Sequence, residues 1–184
     1  VLVFQDSPDS EVSQHFIERY NDPEETDTFR DFSVQFMGRS YHLSNEPTTV
    51  ENKLIDIALN DPTRIAGTAV MQLLYLQDHG HLQLDTQLKT SLLKRLDDPS
   101  APVSLKMAAV ELMSTIPDPD SAQLTTLRKV AFDSHTPDAL RRVAIATLGR
   151  VGTAEDFNRI YPFTKHVNRL VSMAAKGALK RLAG

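Results

Sequence analysis

The sequence predicts an all-α fold, an α–α superhelix of about four helix pairs over residues 48–184 with a helical N-terminal cap over residues 1–47. Three observations predict it: a composition suited to helices, an apolar stripe that recurs four times, and prolines that fall in the gaps between predicted helices or at their ends. Of the 184 residues, 41% are hydrophobic and 24% charged, enough for a substantial core. Leu and Ala dominate, Trp is absent, aromatics make up 7% and there are 7 glycines, a balance that favours helix over sheet.

The stripe reads Ile65, Ala69, Leu73, Leu76; then Leu105, Ala109, Met113, Ile116; then Leu140, Ala144, Leu148, Val151; then Val171, Ala175, Leu179, Leu182. Spacings of 4, 4 and 3 place each set on one face of an α-helix. The alanines recur at offsets of 40, 35 and 31, within the range of two-helix solenoid units. A small residue at one register permits a close helix crossing, with longer side chains a turn away filling the grooves. Each striped helix follows another apolar segment: Val50 to Leu59, Leu88 to Leu96, Leu124 to Phe132 and Phe157 to Phe163.

The boundaries carry punctuation. Thr48 with Glu51, and Thr153 with Asp156, have the spacing of capping boxes. Asp85 and either Asp120 or Ser121 suit N-caps, and Thr136-Pro137 suits N-cap followed by N1. Pro62, Pro99, Pro102, Pro117 and Pro119 fall between helices, and Pro162 should stop the helix that starts at Ala154.

The segment from Pro137 through Leu140, Arg141, Arg142, Val143, Ala144 and Leu148-Gly149 to Gly152 resembles the second helix of a HEAT repeat, in the short bacterial style related to bilin-lyase repeats. Asp133, Pro137, Arg141, Ala144, Leu148 and Gly149 fit that pattern, as do Asp98-Pro99 with Lys106 and Ala109, and Asp61-Pro62 with Ala69 and Leu73. The fourth repeat departs most, with Ser172 at the basic position. The resemblance covers roughly residues 48 to 184 and implies a binding surface. It implies that Arg141 pairs with an acidic residue of a neighbouring repeat. Some HEAT-like solenoids hold duplex DNA and excise alkylated bases, which implies a nucleic-acid-binding alternative of DNA-repair glycosylase type. A bilin-lyase activity is implied by repeat style alone, with no residue to assign to it.

In residues 1–47, Ser7-Pro8-Asp9-Ser10-Glu11 signals a helix start, and Val12, Phe16 and Tyr20 share one face of the helix that follows. Asn21 to Glu25 is an acidic turn. Phe29, Phe32 and Phe36 predict a second helix ending near Gly38, though Phe32, Val34 and Phe36 also alternate as in a strand. The expected role is a cap that seals the open core of the first repeat, with partner binding as the alternative. Val1-Leu2-Val3-Phe4 fits either a weakly packed terminus or the stub of a membrane anchor or signal segment. On the second reading the chain is the soluble part of an anchored protein, and its compartment stays open between cytoplasm and periplasm.

Charge is polarised. Residues 1–127 hold 9 Lys/Arg and 20 Asp/Glu, whereas residues 128–184 hold 11 and 4. Arg142, Arg150, Lys165, Arg169, Lys176, Lys180 and Arg181 are the candidate partner-binding surface, suited to an acidic protein or a phosphate backbone. Against the phosphate backbone stand a pI of about 5.8 and the acidic first repeats.

Chemistry is thin. With no cysteine, disulfides and thiolate chemistry are excluded. Asp78-His79-Gly80-His81 is the one local cluster of metal-ligand types, and its glycine equally suits a helix-ending turn. Asp97-Asp98 and Asp118-Pro119-Asp120 sit where helix caps belong. No phosphate loop, zinc-protease motif or nucleophile elbow is present. The expectation is therefore a non-catalytic scaffold or adaptor without cofactor or metal, which holds an extended protein partner on its solenoid surface and meets a membrane only through a segment outside this chain.

Overall fold

A computed structural model of the chain describes residues 10–184, with side chains from Val12 onward, and every regular element among them is helical. The expected helix start at Ser7 to Asp9 and the readings of Val1 to Phe4 lie outside the described residues. The helices are α1 (Ser10–Asn21), α2 (Asp27–Arg39), α3 (Pro47–Asn60), α4 (Ile65–Asp78), α5 (Thr86–Lys94), α6 (Val103–Met113), α7 (Ser121–Phe132), α8 (Asp138–Val151), α9 (Ala154–Ile160) and α10 (Arg169–Leu182). Short 3-10 turns cover Tyr41–Leu43 and Tyr161–Lys165. Two compact units divide at Leu92 and Leu93, within α5.

In the first unit α1 packs on α2, α3 packs on α4, and α2 lies against α4. In the second, α7 and α9 pack on α8 and α10 respectively, and the second helices α6, α8 and α10 stack in that order. This is the helix-pair arrangement of an α–α solenoid within each unit. Residues 29–36 are helical, not extended.

Ala69, Ala109, Ala144 and Ala175 are all fully buried, as their shared register requires. The stripe is imperfect at Ile116, because α6 ends at Met113 and leaves that side chain in the following loop. A fifth member lies in α2 and its C-cap, where Ser33, Met37 and the capping Ser40 are buried at the same spacing with serine in place of alanine.

Two close approaches lie about one turn beyond the small residues of the stripe. A Cβ on Gly149 would lie 2.5 Å from the backbone Cα of Ala178, and one on Gly38 would lie 2.4 Å from Oε1 and 2.7 Å from Cβ of Gln72. Both glycines lie in the last turns of their helices, with α2 ending at Arg39, near Gly38 as expected, and α8 ending at Val151, just after Leu148-Gly149; both also serve as spacers for stacking.

A recurrent aspartate turns the chain inside each pair. Asp22, Asp61, Asp98 and Asp133 each accept a hydrogen bond on Oδ1 from the backbone N–H two residues on, at 2.9, 2.7, 2.9 and 2.9 Å. In the last pair His166 Nδ1 takes this role, accepting from Asn168 N–H at 3.1 Å. The N-terminal segment thus repeats both the turn and the stacking of the later pairs.

The caps at Asp85 and Asp120 form, the latter as a box with Gln123. The box expected at Thr48 and Glu51 does not. Pro47, with its preset φ and missing N–H, takes the first helical position and starts α3 two residues earlier than that box needs. Likewise α8 starts at Asp138, with Pro137 instead of Thr136 at the N-cap. Pro162 falls in the 3-10 turn after α9 ends at Ile160, as its ring demands.

Two buried carboxylates join elements. Asp61 accepts from the Tyr20 hydroxyl at 2.6 Å and from Thr63, and lies 3.7 Å from Arg30, which ties together α1, α2 and the α3–α4 turn. Asp156, with no exposure, accepts from Arg128 at 2.8 and 2.9 Å and from Thr153 N–H at 2.9 Å, which ties α7 to α9. Burial pushes both carboxyl groups up, but the hydrogen bonds and nearby guanidinium charge outweigh it and hold both below the ordinary carboxylate value.

Gly149→Ala is expected to cost about 1–3 kcal/mol by forcing α8 and α10 apart. By contrast, Gly177→Ala meets nothing nearer than the Arg181 side-chain tip at 3.8 Å and should gain roughly 0.5–1 kcal/mol of helix stability. Urea melts of the two variants would show shifts of opposite sign. Asp156→Asn should cost on the order of 3 kcal/mol, near the low end for a broken buried pair because Arg128 keeps some contact with water. A carboxylate with a depressed folded pKa stabilises above its unfolded pKa and ceases to do so as pH falls through the folded one. Stability of the parent protein should therefore drop as pH falls below about 4, and part of that slope should vanish in Asp156→Asn.

Candidate interaction surface

The cations of residues 128–184 separate by what they touch. Arg128 binds Asp156, Lys129 reaches Asp97 at 3.2 Å, and Arg159 lies over the Phe132 ring at 4.2 Å from its centroid. Arg150 reaches Glu111 Oε1 at 2.8 Å and Ser114 Oγ at 2.9 Å, linking α8 to α6.

Arg141 is buried and structural, but its carboxylate partner differs from the expectation. It binds Asp138 of its own helix at 2.8 Å and donates to the Asp133 and Ser134 carbonyls at the end of α7. The i,i+3 spacing puts Asp138 within reach on the same helix face. Asp138 then makes the link to the next pair, accepting from Asn168 Nδ2 at 3.0 Å.

Arg142, Lys165, Arg169, Lys176, Lys180 and Arg181 have no carboxylate within 4.0 Å among the described residues. Arg142 is half-buried on α8, whereas the other five are exposed on α10 and the turn before it. On α10, Arg169, Met173, Lys176 and Lys180 follow one another at spacings of 4, 3 and 4, and so share a face. Beside them lie Leu170, with 53% of its surface exposed, and Val167, at 97%; Met173 itself is 56% exposed. The cations stand out in the sequence and these apolar neighbours do not, although the charged spacing along α10 already shows which face points outward.

The phenylalanines of α2 also lie outward. Phe29, Phe32 and Phe36 are 61%, 48% and 41% exposed, so they do not seal the core; Val34 and Met37, fully buried, do that. Phe36 stacks on Phe16 of α1 with ring centroids 5.1 Å apart.

Candidate chemistry elsewhere resolves into structure. Asp78-His79-Gly80-His81 ends α4: Gly80 takes a left-handed φ of 72°, its N–H donates to Gln77 O, and His81 N–H donates to Leu76 O. The His79 and His81 rings are 6.4 Å apart, and among the described residues no group of three metal-ligand types converges. Between α1 and α3 is an open cleft of about 320 Å³ lined by Ser13, Gln14, Ile17, Ser44, Glu46, Thr49 and Val50. Its one carboxylate, Glu46, accepts from Thr49, so the cleft offers no carboxylate pair for acid–base work. No described helix is long and apolar enough to cross a membrane.

No protein-family profile matches the chain, and neither the curated proteins nor the solved structures include a significant match to it.

Proposed function

We propose that this chain is a non-catalytic protein-interaction module of HEAT-like type that holds a partner of acidic character. The observation that carries this reading is α10 and the turn before it, where Arg169, Lys176, Lys180 and Arg181 have no carboxylate partner among the described residues and Val167, Leu170 and Met173 are exposed. An exposed apolar strip rimmed by charge is the usual make-up of a protein contact, and Met and Arg are enriched at such contacts. A phosphate backbone would have use for the cations but not for the apolar strip between them, and the chain as a whole is acidic at a formal charge of −4. The stacked second helices add a surface on which an extended partner could lie.

Capture of partners from the native source by the parent chain and by a Lys176→Glu, Lys180→Glu variant tests the reading. A protein retained by the parent and weakened about tenfold or more by the variant is the expected result. Retention indifferent to the two substitutions would overturn the assignment to α10. A salt-dependent gel shift with duplex DNA, lost in the same variant, would transfer the surface to nucleic acid.

A further inference from the structure

Counting from the small residue of each second helix (Ser33, Ala69, Ala109, Ala144, Ala175), the stacking inside both units follows one register. The leading helix presents positions −2, +1 and +5, and the trailing helix presents −4, −1 and +3. Asp31 at −2 accepts from Thr68 at −1 at 2.6 Å; the Val110 carbonyl at +1 accepts from Thr147 at +3 at 3.5 Å. Gly38 and Gly149, both at +5, meet Gln72 and Ala178, both at +3.

Two helices leave their half of this register open. Position −4 is buried as Ile65, Leu105, Leu140 and Val171, yet in α2 it is the exposed Phe29, followed by Phe32 and Phe36 at −1 and +3. Position +1 is fully buried as Val34, Val70, Val110 and Ile145, yet in α10 it is the exposed Lys176, with Met173 at −2 and Lys180 at +5.

We propose that the occupant of these faces is a second copy of the chain, with α10 of one protomer seated on α2 of the next in the same register. This deepens the interaction reading above and rests on it. The chemistry of the two faces is complementary: Met173 and the lysine stems supply apolar contact to the rings, and the ammonium groups lie over ring faces. The fold already uses such contacts, with Arg159 over Phe132 and with Arg30 and Lys53 over Tyr20. The two halves that would meet also differ in the sign of their net charge, since residues 1–92 hold 6 Lys/Arg against 15 Asp/Glu and residues 93–184 hold 14 against 9. Because the faces differ, the contact is heterologous and each protomer has one of each.

Sedimentation of the full chain over a wide concentration range tests this, with Lys176→Glu/Lys180→Glu as the tail variant and Phe29→Ser/Phe32→Ser as the head variant. The substituted side chains are exposed, and unchanged melting curves confirm that each variant folds. The parent should gain mass with concentration, each variant alone should stay monomeric, and a mixture of the two should form a dimer and stop there. A parent that is monomeric throughout, a variant that associates as the parent does, or a mixture that forms no dimer overturns the proposal. If the parent is monomeric while a different protein is still captured through Lys176 and Lys180, self-association falls and the interaction reading stands.

Discussion

Where Gly149 of α8 meets Ala178 of α10, and Gly38 of α2 meets Gln72 of α4, there is no room for a Cβ, and the packing of each unit follows from that closeness. Helix axes this near let the residues a turn away interlock: Leu148 and Ile145 become fully buried in one unit, Met37 and Leu73 in the other. Dispersion is short-ranged, so a small widening of the crossing would loosen many contacts at once. The buried alanines set the register, and the glycines and Ala178 set the distance.

Polar groups hold the pairs in order around that packing. The aspartates in the intra-pair turns satisfy backbone N–H groups that the chain reversal would leave open. Asp61 and Asp156 carry this further, since each is buried, ionised and supplied with hydrogen-bond donors from more than one element. Such a group does little for net stability against a well-packed apolar substitute, but it penalises any arrangement that removes its partners. The Arg141–Asp138–Asn168 chain does the same between consecutive pairs.

With so many cations occupied internally, the electrostatic surface is narrower than the sequence total implies. Arg128, Lys129, Arg141 and Arg150 are engaged with carboxylates, and Arg159 lies on an aromatic ring. Of the cations in residues 128–184, those without a carboxylate within 4.0 Å among the described residues are concentrated on α10 and the turn before it. The character of that surface comes as much from Val167, Leu170 and Met173 as from charge. A surface of that kind favours a partner with its own apolar residues and acidic rim.

Helix content, the pairing of helices and the register of the stacked faces were legible in the sequence, because periodicity is a local property that burial imposes on the chain. Ala69, Ala109, Ala144 and Ala175 declared themselves by spacing alone. Ser33 did not, since a serine in that column has no apolar signature, and so the kinship of α1 and α2 with the later pairs was hidden. Proline sterics placed the helix gaps, but α3 and α8 start two residues and one residue away from where Thr48 and Thr136 would start them, a difference that spacing does not resolve. Only the tertiary structure decided which cations are free, that Phe29, Phe32 and Phe36 face outward, and that two glycines near helix ends also act as spacers. Those facts depend on which helices become neighbours, and contact between residues distant along the chain leaves no periodic trace in either one.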